Sequence, residues 1–246
     1  MPSPDTPTNG TANDKPGLTI DIVSDVMCPW CFIGQKNLEA AMKLAPEVPV
    51  EIRWRPYQLD PTLPPEGKDR KQYLEEKFGG GERAREIYQR VEEAGKASGI
   101  DFQFERIAVS PNTLDAHRLI RWAGGISPET QDRLVRRLFE LYFTEGANIA
   151  DHDVLTAAAG EAGMDAAIVR DLLSRDDDRE SVTAEIAQAQ QMGVTGVPFF
   201  VFAGKYGVPG AQPPQVLANA MRQISAEMKE EADFTAEPQD SSKDGE

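Results

Sequence analysis

Cys28 and Cys31 are the only cysteines in the chain, and they enclose Pro29 and Trp30. Just upstream, Leu18-Thr19-Ile20-Asp21-Ile22 alternates apolar and polar residues as a half-buried strand does. Downstream the apolar spacing becomes helical, through Phe32, Ile33, Leu38, Ala41, Met42 and Ala45. The pair therefore falls where a strand gives way to a helix. There Cys28 meets unpaired backbone N–H groups and the positive end of the helix dipole, both of which favour an anion. The thiolate is the nucleophile in disulfide exchange, and such a position lowers a thiol from its usual pKa of about 8.5. Pro29 suits the first helical position, where a missing N–H costs nothing. Cys31 lies one turn along, within reach of a mixed disulfide at Cys28. The sequence thus predicts an outer attacking sulfur and an inner resolving one. Trp30 is expected to cover a groove and touch substrate, since exchange needs this dipeptide accessible.

Cysteines at this spacing also bind zinc. A closed site needs two more ligands, and the two histidines, His117 and His152, form no spaced pair. Redox chemistry is the favoured reading, no metal is expected, and an inert thiol pair remains the third option. A second signal is Gly193-Val194-Thr195-Gly196-Val197-Pro198-Phe199-Phe200. Pro198 opens an apolar strand, an awkward place for proline. A cis Val197–Pro198 bond is favoured over an ordinary trans strand start. That bend would present the Val197 backbone to an extended substrate.

The elements that position these residues follow from patterning. Val48, Val50, Ile52 and Trp54 alternate with charged residues as a second strand, after Pro46 and Pro49 stop the helix. Strand, helix, strand at this length predicts a parallel pair. Residues 60–192 show no convincing strand and read as a helical insertion. Lys71 to Ser98 is one long helix candidate, and Asn112 or Asp115 caps the next, through His117, Leu119 and Ile120. Ser127-Pro128 opens another with Leu134, Leu138, Leu141 and Tyr142, and Asp151, Asp165 and Ser174 are later starts. Phe199 to Phe202 turns through Ala203-Gly204-Lys205 into Tyr206 to Val208, a hairpin, and Pro213-Pro214 begins a last helix with Leu217, Ala220, Met221 and Ile224 inward. Residues 18–59 and 193–230 are thus expected to form one α/β domain around the insertion. The polar ends, 1–17 and 231–246, are expected to be disordered.

Composition bounds the function. Of 246 residues, 40% are hydrophobic and 27% charged, which suits a folded core, and the formal net charge is −15. With no cluster of Lys and Arg, neither nucleic acid nor an anionic membrane surface is an expected partner. No secretory signal or membrane span is evident and Met1 is retained, so a cytoplasmic protein is expected. In a reducing compartment two closely spaced cysteines are reactive rather than structural.

The run from Ile20 to Met27 followed by Cys28-Pro29-Trp30-Cys31 resembles the FrnE-like branch of the DsbA family of thiol–disulfide oxidoreductases. So do Trp54-Arg55-Pro56, Pro111 to Arg118, Tyr142 to Gly146 and Gly196 to Phe200. The resemblance spans nearly all of Leu18 to Met228 and implies a thioredoxin-like fold with a large helical insertion domain. Its active site faces the groove between them, with Cys28, Cys31 and a cis-Pro198 as working residues. Two features depart from the family. Trp30 stands where the strongly oxidising members have His, so a less acidic Cys28 and a less oxidising disulfide are expected. The second cysteine pair of some FrnE-like proteins is missing, which excludes an internal relay.

The function this implies is dithiol–disulfide exchange on protein or small-molecule disulfides. No metal or organic cofactor is required; glutathione is a candidate co-substrate, and glutathione or thioredoxin could reset the pair. The alternative is a glutathione-dependent isomerase or transferase of the 2-hydroxychromene-2-carboxylate isomerase type, related in fold but with Ser for the first Cys. A third reading is a non-enzymatic peptide-binding chaperone. Asn112 and His117 either touch a peptide or glutathione at the groove, or serve as a cap and a locally bonded helix residue. His152 and Asp176 to Asp178 read as surface, and Trp54, Phe199, Phe200 and Phe202 as core.

Overall fold

A computed structural model describes residues 17–236. Strand β1 (Leu18–Ser24) leads into helix α1 (Pro29–Leu44), and β2 (Val50–Pro56) returns beside β1 in parallel, with Ile20 opposite Ile52 and Ile22 opposite Trp54. Near the other end of the chain come β5 (Phe199–Phe202), β6 (Tyr206–Pro209) and helix α9 (Pro214–Ala236). The hairpin turns at Ala203 and Gly204, both with positive φ. Strand β5 runs antiparallel to β1, giving the sheet order β2-β1-β5-β6. Ile20, Ile22, Phe200 and Phe202 bury one face of that sheet, and α1 packs along α9 with Phe32, Leu38 and Ala41 joining Leu217, Met221 and Ile224 in the core. The distribution of apolar side chains at periods 2 and 3.6 dictates this arrangement.

Between β2 and β5 lies the helical insertion. It holds α2 (Arg70–Phe78), α3 (Gly81–Ala97), α4 (Leu114–Ile126), α5 (Pro128–Glu140), α6 (His152–Glu161), α7 (Ala166–Leu173) and α8 (Arg179–Gln191). A π turn, Leu141–Glu145, extends α5. Ser127 caps α5, Asp151 caps α6 and Asp165 caps α7 through side-chain hydrogen bonds, as their residue types favour. Phe32 stacks on Phe139 at 5.2 Å, and a single hydrophobic cluster runs through both parts. The insertion is therefore welded to α1.

One contact fastens it to the sheet. Strand β2 is an edge, and its Trp54 needs partners for a buried N–H and C=O. Gln131 of α5 supplies both, accepting from Trp54 N at 2.9 Å and donating to Trp54 O at 3.2 Å, while Trp54 Nε1 donates to Asp132 at 3.0 Å. The side-chain amide continues the sheet where no strand follows.

The structure differs from the pattern reading in six places. Thr113, not Asn112 or Asp115, is the N-cap of α4, and Asp115 lies within its first turn. The single helix expected over Lys71 to Ser98 is two, because Gly79 takes a left-handed conformation (φ 77°) that ends α2. The insertion contains a short antiparallel pair, β3 (Lys68–Asp69) with β4 (Val109–Ser110), too brief to leave a period in the sequence. Ser174 ends α7 instead of starting a helix, and α8 begins after Asp178. Phe199 is half-buried, not core. The tail expected from 231 is helical as far as Ala236; the rest of it, and the expected N-terminal tail up to residue 16, lie outside the described residues. Among the described residues no helix is long and apolar enough to cross a membrane.

Candidate active site

Cys28 is the N-cap of α1, with extended backbone (φ −91°, ψ 114°), and Pro29 takes the first helical position. The Cys28 carbonyl accepts from Cys31 N at 3.0 Å and Phe32 N at 3.4 Å, while Cys28 N donates to Asp25 O at 2.9 Å. A tight turn from β1 thus sets Cys28 at the helix mouth. Opposite it lies the Val197–Pro198 peptide, which is cis, and the Cys28 thiol points at Val197 O across 3.7 Å. The approach of α1 to this loop depends on Gly34, where a Cβ would stand 2.9 Å from Pro198 Cγ. Only a residue without a side chain allows it.

Both sulfurs are free thiols and both are enclosed: Cys28 is 4% exposed and Cys31 1%. The expectation of an open outer sulfur needs correcting for this state, because the turn after β1 carries Val26, Met27 and Cys28 together into the main core. Trp30 is exposed, as are Thr195 and Gly196 ahead of the bend. Burial pushes the Cys31 thiol well above the ordinary range, and the neighbouring Cys28 adds to it by hydrogen bond and charge. The Ser24 hydroxyl and the Asp25 backbone act in the opposite direction, though Ser24 Oγ makes no hydrogen bond of good geometry. Cys31 accordingly holds its proton while Cys28 faces the loop.

Behind the turn sits Asp25, wholly buried, its carboxylate accepting from Leu59 N at 2.8 Å and Met27 N at 3.4 Å. His117 of α4 brings Nε2 to 3.4 Å from Asp25 Oδ1. On another side Arg70, 6% exposed, donates to Tyr142 Oη at 3.0 Å and lies over the rings of Tyr88 and Phe104. Burial raises the Tyr88 phenol, and Arg70 offsets part of this.

A family model for the DSBA-like thioredoxin domain matches residues 19–222. The chain belongs to the DsbA-like thioredoxin family. It is 28% identical over 218 residues to the uncharacterized protein YwbO of Bacillus subtilis (strain 168), covering 85% of this chain and 97% of that protein. Among solved structures it is similar to a probable DsbA oxidoreductase, SCO1869, from Streptomyces coelicolor, with a TM-score of 0.77 and 30% identity over 85% of this chain and 91% of that one. The cytosolic disulfide reductase DsbM from Pseudomonas aeruginosa, solved with GSH, shares the fold at a TM-score of 0.61 and 18% identity, covering 84% of this chain and 99% of that one.

In this DsbA-like chain the structure gathers Cys28, Pro29, Cys31, Val197 and Pro198 into one place, with Trp30 at its surface. It does not bring Asn112 or His117 to the groove as substrate contacts. The Asn112 carboxamide accepts from Gln58 and Leu114 N, both at 3.0 Å, and donates to Leu63 O at 2.6 Å, so it ties loops together. His117 is 3% exposed and turned to Asp25. Pattern reading missed Asp25 and Arg70. A lone acid amid Val23, Val26 and Met27 was the available sign for Asp25; Arg70, in a polar stretch, left none.

Proposed function

We propose that this protein is a dithiol–disulfide oxidoreductase in which Cys28 and Cys31 are the reacting pair. The observation that carries the reading is the Cys28 thiol at a helix N-cap, 3.7 Å from Val197 O, with a second, buried thiol one turn behind it whose burial holds its proton. Cys28 as thiolate attacks a substrate disulfide, one substrate sulfur leaves as a thiolate and takes up a proton, and a mixed disulfide forms. Cys31 then loses its proton, attacks Cys28, and releases the second substrate thiol, leaving a Cys28–Cys31 disulfide. In the other direction the same steps oxidise a dithiol. Because Cys28 is enclosed at rest and its thiol faces Val197 O, substrate must displace the Val197–Pro198 loop to reach it.

Residues 18–59 and 193–230 are assigned to the redox domain and 60–192 to the insertion. Proteins or small molecules bearing disulfides are the substrate class, no cofactor is needed, and glutathione is the proposed reductant; the GSH-bound DsbM structure supports its chemistry in this fold. A cytoplasmic site of action fits a chain whose only two cysteines are separated by just two residues. Cys28→Ser should abolish insulin reduction, and Cys31→Ser should accumulate a mixed disulfide visible as added mass. Insulin reduction that survives in Cys28→Ser would refute the proposal.

A further inference from the structure

Two arginines are buried among the described residues, and the fold treats them differently. Arg118 pairs with Asp115 and donates to the carbonyls of Leu172, Arg175 and Asp177, so both its charge and its N–H groups are answered. Arg70, 6% exposed, forms no ion pair with any carboxylate among the described residues. Its one side-chain hydrogen bond runs from Nη1 to Tyr142 Oη, and the buried Nη2 has no partner. The rings of Tyr88 and Phe104 lie with their centres 5.0 and 5.5 Å from its guanidinium carbon. Ring faces attract a cation without neutralising it, and the phenols of Tyr88 and Tyr142 stay protonated because burial raises both. Arg70 also opens α2, where the positive end of the helix dipole adds to its charge. A buried guanidinium left without a counter-charge is costly, and it points to an anion from outside the chain.

Arg70, Tyr88 and Phe104 border one cavity of about 680 Å³, set between α2, α3 and the short 3₁₀ turn Phe104–Arg106, with Leu74 and Ile107 among its apolar lining. Five glutamates border it too, four of them exposed, against the exposed Lys71 and Arg85. The cavity thus has a buried cation, aromatic walls and a negative entrance. Neither cysteine borders it, nor does Trp30 or the Val197–Pro198 bend.

We propose that this cavity binds a small amphipathic amino acid, with its carboxylate on Arg70, its apolar body along Tyr88 and Phe104, and its amine towards the exposed glutamates. The site is separate from the redox centre and does not depend on the redox reading. Each part of the ligand answers one observation. The carboxylate supplies the acceptor that Nη2 lacks, in the planar geometry a guanidinium favours. The body covers rings that already border the cavity. The amine matches an entrance where acids outnumber bases, which a plain carboxylic acid would have to pass against repulsion. A plain amine would meet the entrance but leave Arg70 unpaired.

The test titrates the full chain at low salt with ε-aminocaproate, hexanoate and hexylamine, followed by the amide NMR shifts of the protein. ε-Aminocaproate is expected to bind saturably, with shifts centred on α2, α3 and the Phe104–Arg106 turn. Hexanoate and hexylamine should each bind about tenfold more weakly, or less well still, as expected for the loss of one charged contact. Arg70→Met should weaken ε-aminocaproate by about 10–100-fold, to the level of hexylamine. Because Arg70→Met also removes a partner of Tyr142, the exposed double variant Glu86→Gln with Glu105→Gln provides an independent reading. It should weaken ε-aminocaproate severalfold and leave hexanoate no weaker. The proposal is overturned if ε-aminocaproate gives no saturable shift, or if hexanoate binds as tightly. It is equally overturned if the shifts centre on Cys28 and the Val197–Pro198 bend, or if binding is unchanged in either variant.

Discussion

Replacing Gly34 by Ala sets two opposing effects of known size against each other. In the interior of α1 the change favours the helix by about 1 kcal/mol. The added Cβ, however, would lie 2.9 Å from Pro198 Cγ and 3.3 Å from Phe200 Cζ, in a ring and a buried side chain that have little room to retreat. Overpacking of this kind costs about 1–3 kcal/mol, so the net loss is about 0–2 kcal/mol. For a chain this long that lowers Tm by up to about 8 °C. Relief requires Pro198 to move by roughly 0.5 Å to reach ordinary contact, and Val197 O, 3.7 Å from Cys28 Sγ, moves with it. Since misplacement by about 1 Å can cost 10²-fold in rate, insulin reduction should fall about tenfold. Gly125→Ala is the control: it too lies in a helix, with nothing within 4 Å of its Cβ, and should stabilise by about 0.5–1 kcal/mol with activity retained. Paired turbidity assays and thermal melts read both. If Gly34→Ala behaves like Gly125→Ala, the close approach of α1 to the Val197–Pro198 loop is not what positions the thiol.

Gln131→Leu keeps volume but strips Trp54 N–H and C=O of their partners, and should cost about 2–4 kcal/mol and lower Tm by about 5–15 °C, measured by thermal unfolding. Asp115 accepts from Arg118 at 2.9 Å, sits 2.8 Å from His152 Nε2 and 3.0 Å from Arg179, and these contacts outweigh its burial to hold its carboxyl below the usual range. A depressed carboxyl stabilises the fold above its unfolded pKa of about 3.9 and stops doing so as pH falls through the folded value. Asp115→Asn should therefore be less stable than wild type at pH 5 by about 1–3 kcal/mol in urea melts, and the gap should close below about pH 4.

What the sequence disclosed, and what it did not, follows from the range of each interaction. The strand–turn–helix around Cys28 was legible because periodicity and Pro29 are local signals. So were the caps at Ser127, Asp151 and Asp165, each a side chain answering backbone groups two or three residues away. The pairing of Gln131 with an edge strand was not, since a glutamine in a helix pattern gives no sign of a strand in need of partners. Nor was the enclosure of Cys28, which depends on how the turn after β1 packs. Asp25 read as part of a motif, yet its burial and its contact with His117 arise only when α4 docks beside that turn.

The central claim is that Cys28 and Cys31 interconvert between dithiol and disulfide. Equilibrating the protein with graded glutathione redox buffers, trapping thiols by alkylation and counting them by mass tests it directly. The account predicts one two-electron transition with a midpoint between about −270 and −120 mV, lost in Cys28→Ser. Two thiols that stay reduced across the whole range, or that titrate independently of one another, would contradict it.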